Sequence, residues 1–472
     1  MRRLPFRRLA TRAAPLRRQA SRTIAVRRLA TGVTAGLMLA GLLGANRPSA
    51  SPPLFSAGLL GNGATLLGIA PGEARGLAYL PGSTVLRLPG GAGLRYLPPG
   101  ATAPVTVATD DPGALAAAAA DRAWLAAGTV PGRTPAERDA AARSLLFLRL
   151  LLRPGGAAVA AEAPYWAYVW PRDASFVAAA FHATGHGAES LAVLGFLART
   201  QRPDGTWPAR SRPDGSPVAD GRPSQLDATG WVCWAAFLAT GQGADRAVVG
   251  RVWPMVRAAA DAAAGSLDAQ GLPPPGPDYW ERTEHAPTLG TAAALLAGLR
   301  AAARLAAAAG DLVALVRYGR AADRLGRAVR TRFPGPEGYR RSPYGGGPDA
   351  AVAWLAPPFQ PPDPAVRAAV AAAARRLASG RGGGVVPGSP WHGGDPWTPA
   401  TAALALAETA SGDRVVADRR LGWLLDHRTV LGAFPERVGR GDGAPRSVAP
   451  IAWTTAIVLL ALTARERALP VP

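Results

Sequence analysis

The sequence predicts a mainly α-helical protein whose helices form a toroid with one functional rim. After Pro112, alanine-rich stretches with helical periodicity follow one another to the C-terminus. The connections between alternate helices are long and hold nearly all the Trp, Tyr, Asp and Glu residues of interest, whereas the others are short. Such asymmetry is expected when functional groups lie on loops along one side of a rigid scaffold. A superhelical repeat array is the alternative, but no motif recurs at a fixed period.

The first fifty residues predict export. Residues 1–30 hold ten arginines and no acidic residue, and the stretch 29–46 is uncharged and mostly apolar. We therefore interpret residues 1–50 as an export signal with a long basic n-region. The apolar stretch also approaches the ~20 residues of a spanning helix, so an uncleaved membrane anchor is the alternative. In both cases the rest of the chain is expected outside the cell or on the outer face of the cytoplasmic membrane.

The formal net charge of +21 does not indicate a nucleic-acid partner. The chain contains no lysine, and after the basic N-terminal stretch its arginines are interspersed with Asp and Glu. No nucleic-acid-binding module is recognisable. Cys233 is the only cysteine, which excludes an intramolecular disulfide and a cysteine metal cluster.

Residues 51–112 predict a small β-rich segment, and residues 113–472 the helical domain. The first part is rich in Gly and Pro and contains short apolar runs at 84–88 and 105–108. In the second part, Gly, Pro and Asp loops separate the periodic stretches. The candidate helices are 113–128, 135–152, 174–186, 188–201, 225–240, 244–265, 288–308, 312–332, 364–379, 398–411, 414–427 and 452–465.

The stretch Tyr-Val-Trp-Pro-Arg-Asp-Ala at 168–174 is the most informative motif. It combines two aromatic rings, a guanidinium and a carboxylate. Aromatic rings can cover the apolar face of a sugar, while charged groups hydrogen-bond its hydroxyls. Asp173 alone could equally be a helix N-cap, because an apolar helical stretch follows it.

Two glutamates are candidates for acid and base catalysis. Glu281 follows an aromatic pair before an apolar helix, a setting expected to desolvate a carboxyl and raise its pKa. Glu436 lies beside Arg437 and is expected to stay ionised. Inverting glycoside hydrolysis needs such a pair, one proton donor and one base. For either glutamate alone, a loop salt bridge or a charge at a helix start is an adequate explanation.

Together these residues make the chain resemble a bacterial member of the glucoamylase-like glycoside hydrolases, family 15. The resemblance covers roughly residues 135–465, and its six segments occur in the order of the family. The segments are 144–149 with 155–161, then 168–174, 221–230, 278–281, 394–398, and finally 434–436 with 451–453.

The resemblance implies an (α/α)6 barrel, a six-hairpin toroid, with a funnel-shaped pocket. It implies exo-acting, inverting release of glucose from the non-reducing ends of α-glucosides, with Glu281 as general acid and Glu436 as general base. Arg172 and Asp173 are implied to bind the terminal sugar, an oligosaccharide or polysaccharide is the expected substrate, and no cofactor is expected. The other implied sugar-binding residues are Tyr168, Trp170, Gln225, Asp227, Trp280, Trp391, Trp397 and Trp453.

The chain departs from the family pattern beyond the glucose site. Arg282 stands where many members carry a second Glu, and Arg437 where they often carry Gln. Val385 and Val386 replace an Arg-aromatic pair. We therefore expect the site for the terminal glucose to be retained and the site for the next sugar to differ. Maltose-type, isomaltose-type, dextran and trehalose substrates all remain open.

Two other functions are compatible with the same toroid. One is a catalytically degenerate, membrane-tethered glycan-binding protein, and the other a polysaccharide lyase. An inverting hydrolase requires the two glutamates to face one pocket, with carboxyl groups about 6.5–9.5 Å apart. A metal site is not expected, because His182 and His186 have helical spacing but no evident third ligand.

Overall fold

The chain folds mainly into α-helices, as its sequence predicts. A computed structural model describes residues 55–241, 245–380, 382–391 and 394–472, so the predicted export or anchor segment lies outside the described residues. Residues 53–472 form one compact unit. The α-helices of the described residues are α1 (Pro112–Ala126), α2 (Pro135–Leu151), α3 (Pro171–Ala183), α4 (Gly187–Thr200), α5 (Asp227–Ala239), α6 (Arg246–Gly265), α7 (Leu289–Ala309), α8 (Leu312–Arg332), α9 (Pro364–Arg376), α10 (Thr398–Ala410), α11 (Arg414–Asp426) and α12 (Ala452–Glu466).

The helices alternate along the chain between an outer and an inner ring. The inner ring contains α3, α5, α7, a 3₁₀-helix at Ala350–Leu355, α10 and α12, which pack in that order until α12 closes on α3. The outer helices α2, α4, α6, α8, α9 and α11 each pack against an inner neighbour. This is the predicted six-hairpin (α/α)6 arrangement.

One inner member of the ring is missing from the sequence prediction. The 3₁₀-helix Ala350–Leu355 is fully buried and takes the inner place opposite α9, but six residues are too few to reveal a helical period. The first predicted helix is real, yet α1 belongs to neither ring and packs against α2 and a strand of the β-rich segment. Twelve helices were predicted and twelve α-helices are observed in the described residues, but one predicted helix lies outside the ring and one ring member was not predicted.

The β-rich segment shares its apolar core with the helices. Leu59 and Leu66 belong to the main core together with Phe147, and Leu431 completes a smaller cluster around Leu60. The strands pair antiparallel as β1 with β2, β3-β4-β5-β6, β7 with β8, β9-β10-β11 and β12 with β13. Their bounds are β1 (Gly58–Gly61), β2 (Leu66–Ile69), β3 (Ala78–Tyr79), β4 (Leu86–Arg87), β5 (Leu94–Tyr96), β6 (Val105–Val107), β7 (Leu152–Arg153), β8 (Ala157–Ala158), β9 (Pro334–Gly335), β10 (Gly338–Ser342), β11 (Gly345–Pro348), β12 (Arg437–Val438) and β13 (Pro445–Arg446).

The inner helices are apolar on all sides because both of their faces are covered. In α3, His182 is the only residue that is not buried. A helix that is hydrophobic all round belongs in the core of a large domain. Among the described helices, only Leu289–Ala309 has the length and hydropathy to cross a membrane, and most of it is buried inside this ring.

Small residues allow α5 and α7 to touch. Gly230 and Gly298 face each other at the crossing, and a Cβ atom on Gly230 would collide with the backbone carbonyl of Ala294. A backbone carbonyl in a helix cannot move aside as a flexible side chain can. The crossing of α5 and α7 therefore requires glycine at position 230.

We predict that Gly230→Ala lowers the free energy of unfolding by about 1–3 kcal/mol, because the added methyl group overpacks this crossing. Gly319→Ala is the matched control, because Gly319 lies in α8 with open space around its Cα. That substitution should be neutral or stabilise the protein by up to about 1 kcal/mol through helix propensity. Urea unfolding followed by circular dichroism measures both, and equal effects would contradict the predicted collision.

Candidate active site

The long loops all lead into the N-termini of inner helices, where one pocket forms. Trp170 precedes α3, Glu281 lies in the loop before α7, Trp397 precedes α10, and Glu436 lies in the loop before α12. The pocket has a volume of about 190 Å³. Its lining consists of Ala160, Tyr165, Trp166, Trp170, Arg172, Asp173, Arg210, Arg222, Tyr279, Trp280, Glu281, Trp397, Pro399, Glu436, Ile451 and Trp453.

Arg172 stands at the centre of the polar groups. Its Nη1 donates to Gln225 Oε1 at 2.6 Å and lies 3.5 Å from Asp227 Oδ2, and its Nη2 donates to Glu281 Oε1 at 3.3 Å. The guanidinium carbon lies 4.8 Å from the ring centre of Trp453. Residues from three inner-helix loops are thereby fixed around one buried cation, which holds Glu281 at the pocket.

Asp173 is not a helix N-cap. The N-cap of α3 is Trp170, whose side chain makes no capping hydrogen bond, and Asp173 lies in the first turn. Its Oδ2 approaches Arg172 Nε at 3.4 Å, and neither atom has a hydrogen-bond partner among the described residues. Burial raises the pKa of Asp173 to about 7, against the opposing charge of Arg172. The two buried atoms therefore face each other as an ion pair beside the pocket.

Two predicted sugar-binding residues serve Arg172 instead of lining the pocket. Gln225 is 7% exposed and Asp227 is fully buried, and both lie against Arg172. Burial raises the pKa of Asp227 to about 6 despite the nearby guanidinium. Their contribution to ligand binding is therefore indirect, through the position of Arg172.

The surroundings of Glu281 differ from the sequence expectation. The adjacent aromatic residues do not desolvate the carboxylate, whose side chain is 25% exposed. Besides Arg172, the partly exposed Arg222 donates from Nη1 to Glu281 Oε2 at 2.5 Å. The backbone of Glu281 has φ 53°, a left-handed conformation rare in non-glycine residues. The residue is thus held in a strained position between two guanidinium groups.

The surroundings of Glu436 also differ from the expectation that Arg437 keeps it ionised. Burial raises the pKa of Glu436, and the opposing effects of Ser447 and Arg437 do not cancel it. The Ser447 hydroxyl donates to Glu436 Oε2, and the Glu436 amide donates to the Val448 carbonyl at 2.8 Å. Glu281 and Glu436 line the same pocket, and the negative charge of Glu281 contributes to the raised pKa of Glu436.

Aromatic rings form the walls, but not every predicted ring reaches the pocket. Trp170, Trp280, Trp397 and Trp453 line it. Trp391 lies between two of them, with ring centres 4.6 Å from Trp280 and 5.2 Å from Trp397, and braces them edge to face. Tyr168 lies outside the lining, where its ring is 6.4 Å from that of Trp170 and 4.9 Å from the Arg210 guanidinium.

A second buried arginine supports the loop that carries Glu281. Arg341 binds Asp278 at 2.9 Å, Glu284 at 2.7 Å and Asp349 at 2.7 Å. Its guanidinium carbon also lies 3.6 Å from the ring centre of Trp280. It therefore fixes the acidic residues on both sides of Trp280 and Glu281 as well as the tryptophan itself.

The sequence interpretation missed several residues that the structure brings to the site. Tyr165 and Trp166 adjoin the 168–174 motif, and Arg222 lies in the recognised 221–230 segment, so proximity to these motifs was the available signal. Arg341 and Ser447 lie in no recognised motif. Their contacts depend on how distant loops meet, which no local pattern encodes.

The described residues contain no group of three or more His, Cys, Asp or Glu suited to a metal ion. His186 instead stacks on Trp124, with ring centres 3.9 Å apart. This stacking explains the position of His186, one of the two histidines at helical spacing.

The comparisons with known proteins agree with this architecture. The chain matches no protein-family model. It is 26% identical over 343 residues to an uncharacterized glycosyl hydrolase of Methanocaldococcus jannaschii, covering 67% of this chain and 54% of the relative, so it spans about half the length of that protein.

Solved structures share the fold at low sequence identity. A glycosidase variant in complex with glucose aligns with a TM-score of 0.60 and 22% identity, over 70% of this chain and 97% of its own. A bacterial glucoamylase complexed with acarbose aligns with a TM-score of 0.60 and 18% identity, over 77% of this chain and 62% of its own. The predicted glucoamylase-like fold is therefore confirmed, and the names of these proteins support the predicted class of glycoside hydrolase.

We predict that Arg341→Gln lowers the free energy of unfolding by about 3–5 kcal/mol, because Asp278 and Asp349 are left buried without a countercharge. The loss should be smaller under mildly acidic conditions than at neutral pH, since burial raises the pKa of Asp349 and protonation removes its unpaired charge. Arg340→Gln is the matched neighbour, because the Arg340 side chain only donates to the Pro334 carbonyl. Urea titrations at two pH values measure both variants, and equal losses for the two would refute the supporting role of Arg341.

Proposed function

We propose that this protein is an inverting, exo-acting glycoside hydrolase that releases glucose from the non-reducing ends of α-glucosides. The observation that carries the proposal is the meeting of Glu281 and Glu436 in one pocket beside Arg172 and Asp173. The site then contains a proton donor, a base for water and polar groups for sugar hydroxyls. This pair of carboxylates is the requirement of a hydrolase and not of a polysaccharide lyase.

The exposure of the two carboxylates supports the roles proposed for them. Glu281 lies toward the open side of the pocket, where it contacts the partly exposed Arg222, so it is placed to protonate the oxygen of a departing group. Glu436 lies deeper, and the Ser447 hydroxyl fixes one of its oxygens. In this proposal Glu436 accepts a proton from the attacking water as the bond between the anomeric carbon and the leaving oxygen breaks.

The shape of the pocket supports attack at a chain end. Trp170, Trp453, Arg172 and Asp173 line it and are each buried, which is consistent with a closed inner end that admits one terminal sugar. The glucose and acarbose complexes of the structural neighbours support a carbohydrate ligand. The substrate proposed here is therefore a carbohydrate whose terminal glucose enters first.

We also propose that the enzyme acts outside the cytoplasm. The support is the arginine-rich stretch followed by the uncharged apolar residues 29–46. Fractionation of cells that express the full chain tests this location.

Glutamine variants should separate the two catalytic roles. Glu281→Gln should lower kcat on maltose and isomaltose about 100- to 10,000-fold, but it should retain most activity on α-glucosyl fluoride, whose leaving group needs no proton. Glu436→Gln should lose activity on both substrate types, and azide should restore turnover as β-glucosyl azide. Proton NMR should detect β-glucose as the first product of the unmodified protein.

The surface variant Glu337→Gln makes the same change outside the pocket and should leave these rates intact. First appearance of α-glucose would contradict inversion. Absence of turnover on every α-glucoside, with sugar binding retained, would instead favour the degenerate glycan-binding protein.

Ser447→Ala should shift the acidic limb of the pH–rate profile to higher pH. The hydroxyl donates to the carboxylate and so favours its ionised form, and removing this bond raises the pKa of Glu436 further. The base must be ionised to act, so activity at low pH should fall more than activity at neutral pH. A profile displaced toward lower pH, or unchanged in shape, would argue against Glu436 as the base.

A further inference from the structure

Three arginines lie at or beside the pocket. Arg222, Arg282 and Arg437, which we call the rim arginines, are all at least partly exposed, and Arg222 belongs to the pocket lining. The guanidinium carbon of Arg282 lies 5.5 Å from the ring centre of Trp280, and that of Arg437 lies 5.7 Å from the ring centre of Trp397. Both tryptophans belong to the pocket wall, so these two cations lie next to the pocket without lining it.

Two of the three rim arginines carry a positive charge without an acidic partner in the described part of the chain. Within the described residues, neither Arg282 nor Arg437 forms an ion pair. Of the acidic residues nearby, Asp220 pairs with Arg210 and Arg222, and Glu284 pairs with Arg341. Since many other arginines of the described residues also lack an acidic partner, the position of Arg282 and Arg437 beside the pocket wall is what distinguishes them.

Arg222 adds a link between the rim and the candidate acid. Its guanidinium contacts Glu281 and also lies 3.4 Å from Asp220 Oδ2. Arg222 therefore connects the rim to the candidate acid. An anion bound at the rim would compete with Glu281 for the guanidinium of Arg222.

We propose that the substrate is an α-glucoside whose leaving group carries an anionic carboxylate or phosphate, which the rim arginines bind. This inference rests on the proposed hydrolase function and specifies its substrate class. Arginine is well suited to both anions because its planar donors engage two oxygens at once. The glucose itself remains neutral and occupies the inner end of the pocket beside Arg172.

The reaction needs no additional reagent. Water attacks the anomeric carbon and loses a proton to Glu436, while the glycosidic oxygen leaves with its electron pair and takes the proton of Glu281. The products are β-glucose and the free acidic alcohol, whose carboxylate or phosphate is unchanged. Bulk water then restores the protonation state of both glutamates.

Two matched substrate pairs test the proposal. Maltobionate and maltitol differ in a carboxylate on the leaving group, and trehalose 6-phosphate and trehalose differ in a phosphate. Glucose release should give a kcat/KM about tenfold or more higher for the anionic member of at least one pair at low ionic strength. Added salt should reduce that ratio, because the rim is exposed to solvent. The pair with the larger ratio identifies the anion.

The double variant Arg282→Gln with Arg437→Gln should lower this ratio at least severalfold, and Arg222→Gln should lower it as well. The matched control is Arg320→Gln with Arg327→Gln, which removes the same charge from the exposed side of α8 and should keep the ratio.

The two proposals fail in different ways. Equal rates within both pairs, or faster cleavage of the neutral members, would overturn the anionic leaving group while the hydrolase stands. A preference that survives the rim variants would likewise overturn the role of these arginines. Absence of hydrolysis of both pairs and of α-glucosyl fluoride would reject both proposals.

Discussion

The ion-pair cluster around Arg172 is the constraint on which the site depends. One buried guanidinium contacts Asp173, Asp227 and Glu281, and Gln225 accepts its shortest hydrogen bond. These residues come from the loops or first turns of α3, α5 and α7, so the cluster connects three of the six inner positions. Removing the cation would leave carboxylates buried without a partner, which costs more free energy than the pairs contribute when intact.

This cluster has more negative groups than positive ones, which explains its electrostatics. Burial raises the pKa values of Asp173 and Asp227 even though both lie beside Arg172. The charge of Arg172 does not offset the desolvation of Asp173 and Asp227. Both carboxyl groups therefore bind a proton more readily than they would in water.

Part of the pocket is lined by residues at helix N-cap positions, where a polar side chain normally stabilises the helix. Trp170, Trp397 and Ile451 are the N-cap residues of α3, α10 and α12, and none of them makes a side-chain capping hydrogen bond. A good N-cap contributes about 1 kcal/mol to a helix. These three inner helices forgo this contribution because burial on all sides stabilises them, whereas the inner helix α7 is capped by Thr288 and the outer helix α2 has a full capping box at Thr134. The helix ends are thus free to carry aromatic walls.

The sequence was sufficient to predict the ring of helices, but it predicted only part of the candidate site. Alanine-rich periodic stretches predicted every α-helix because each inner and outer helix is long enough to repeat its pattern, whereas Ala350–Leu355 is not. Trp170, Arg172 and Trp280 could be placed because a short motif carries them. The contacts of Arg341 with Asp278 and Asp349 could not, since they join loops far apart in the chain.

The inner end of the pocket and its rim differ in how strongly the surrounding fold constrains their residues. The residues at the inner end are held together by Arg172, so a change in one would disturb the others and the fold around them. Arg282 and Arg437 only lie over tryptophan rings at the surface, where a substitution costs little stability. Substitutions can therefore change the charge of the rim without unfolding the ring of helices. In the proposed function, the same scaffold can then act on substrates whose leaving groups differ in chemistry.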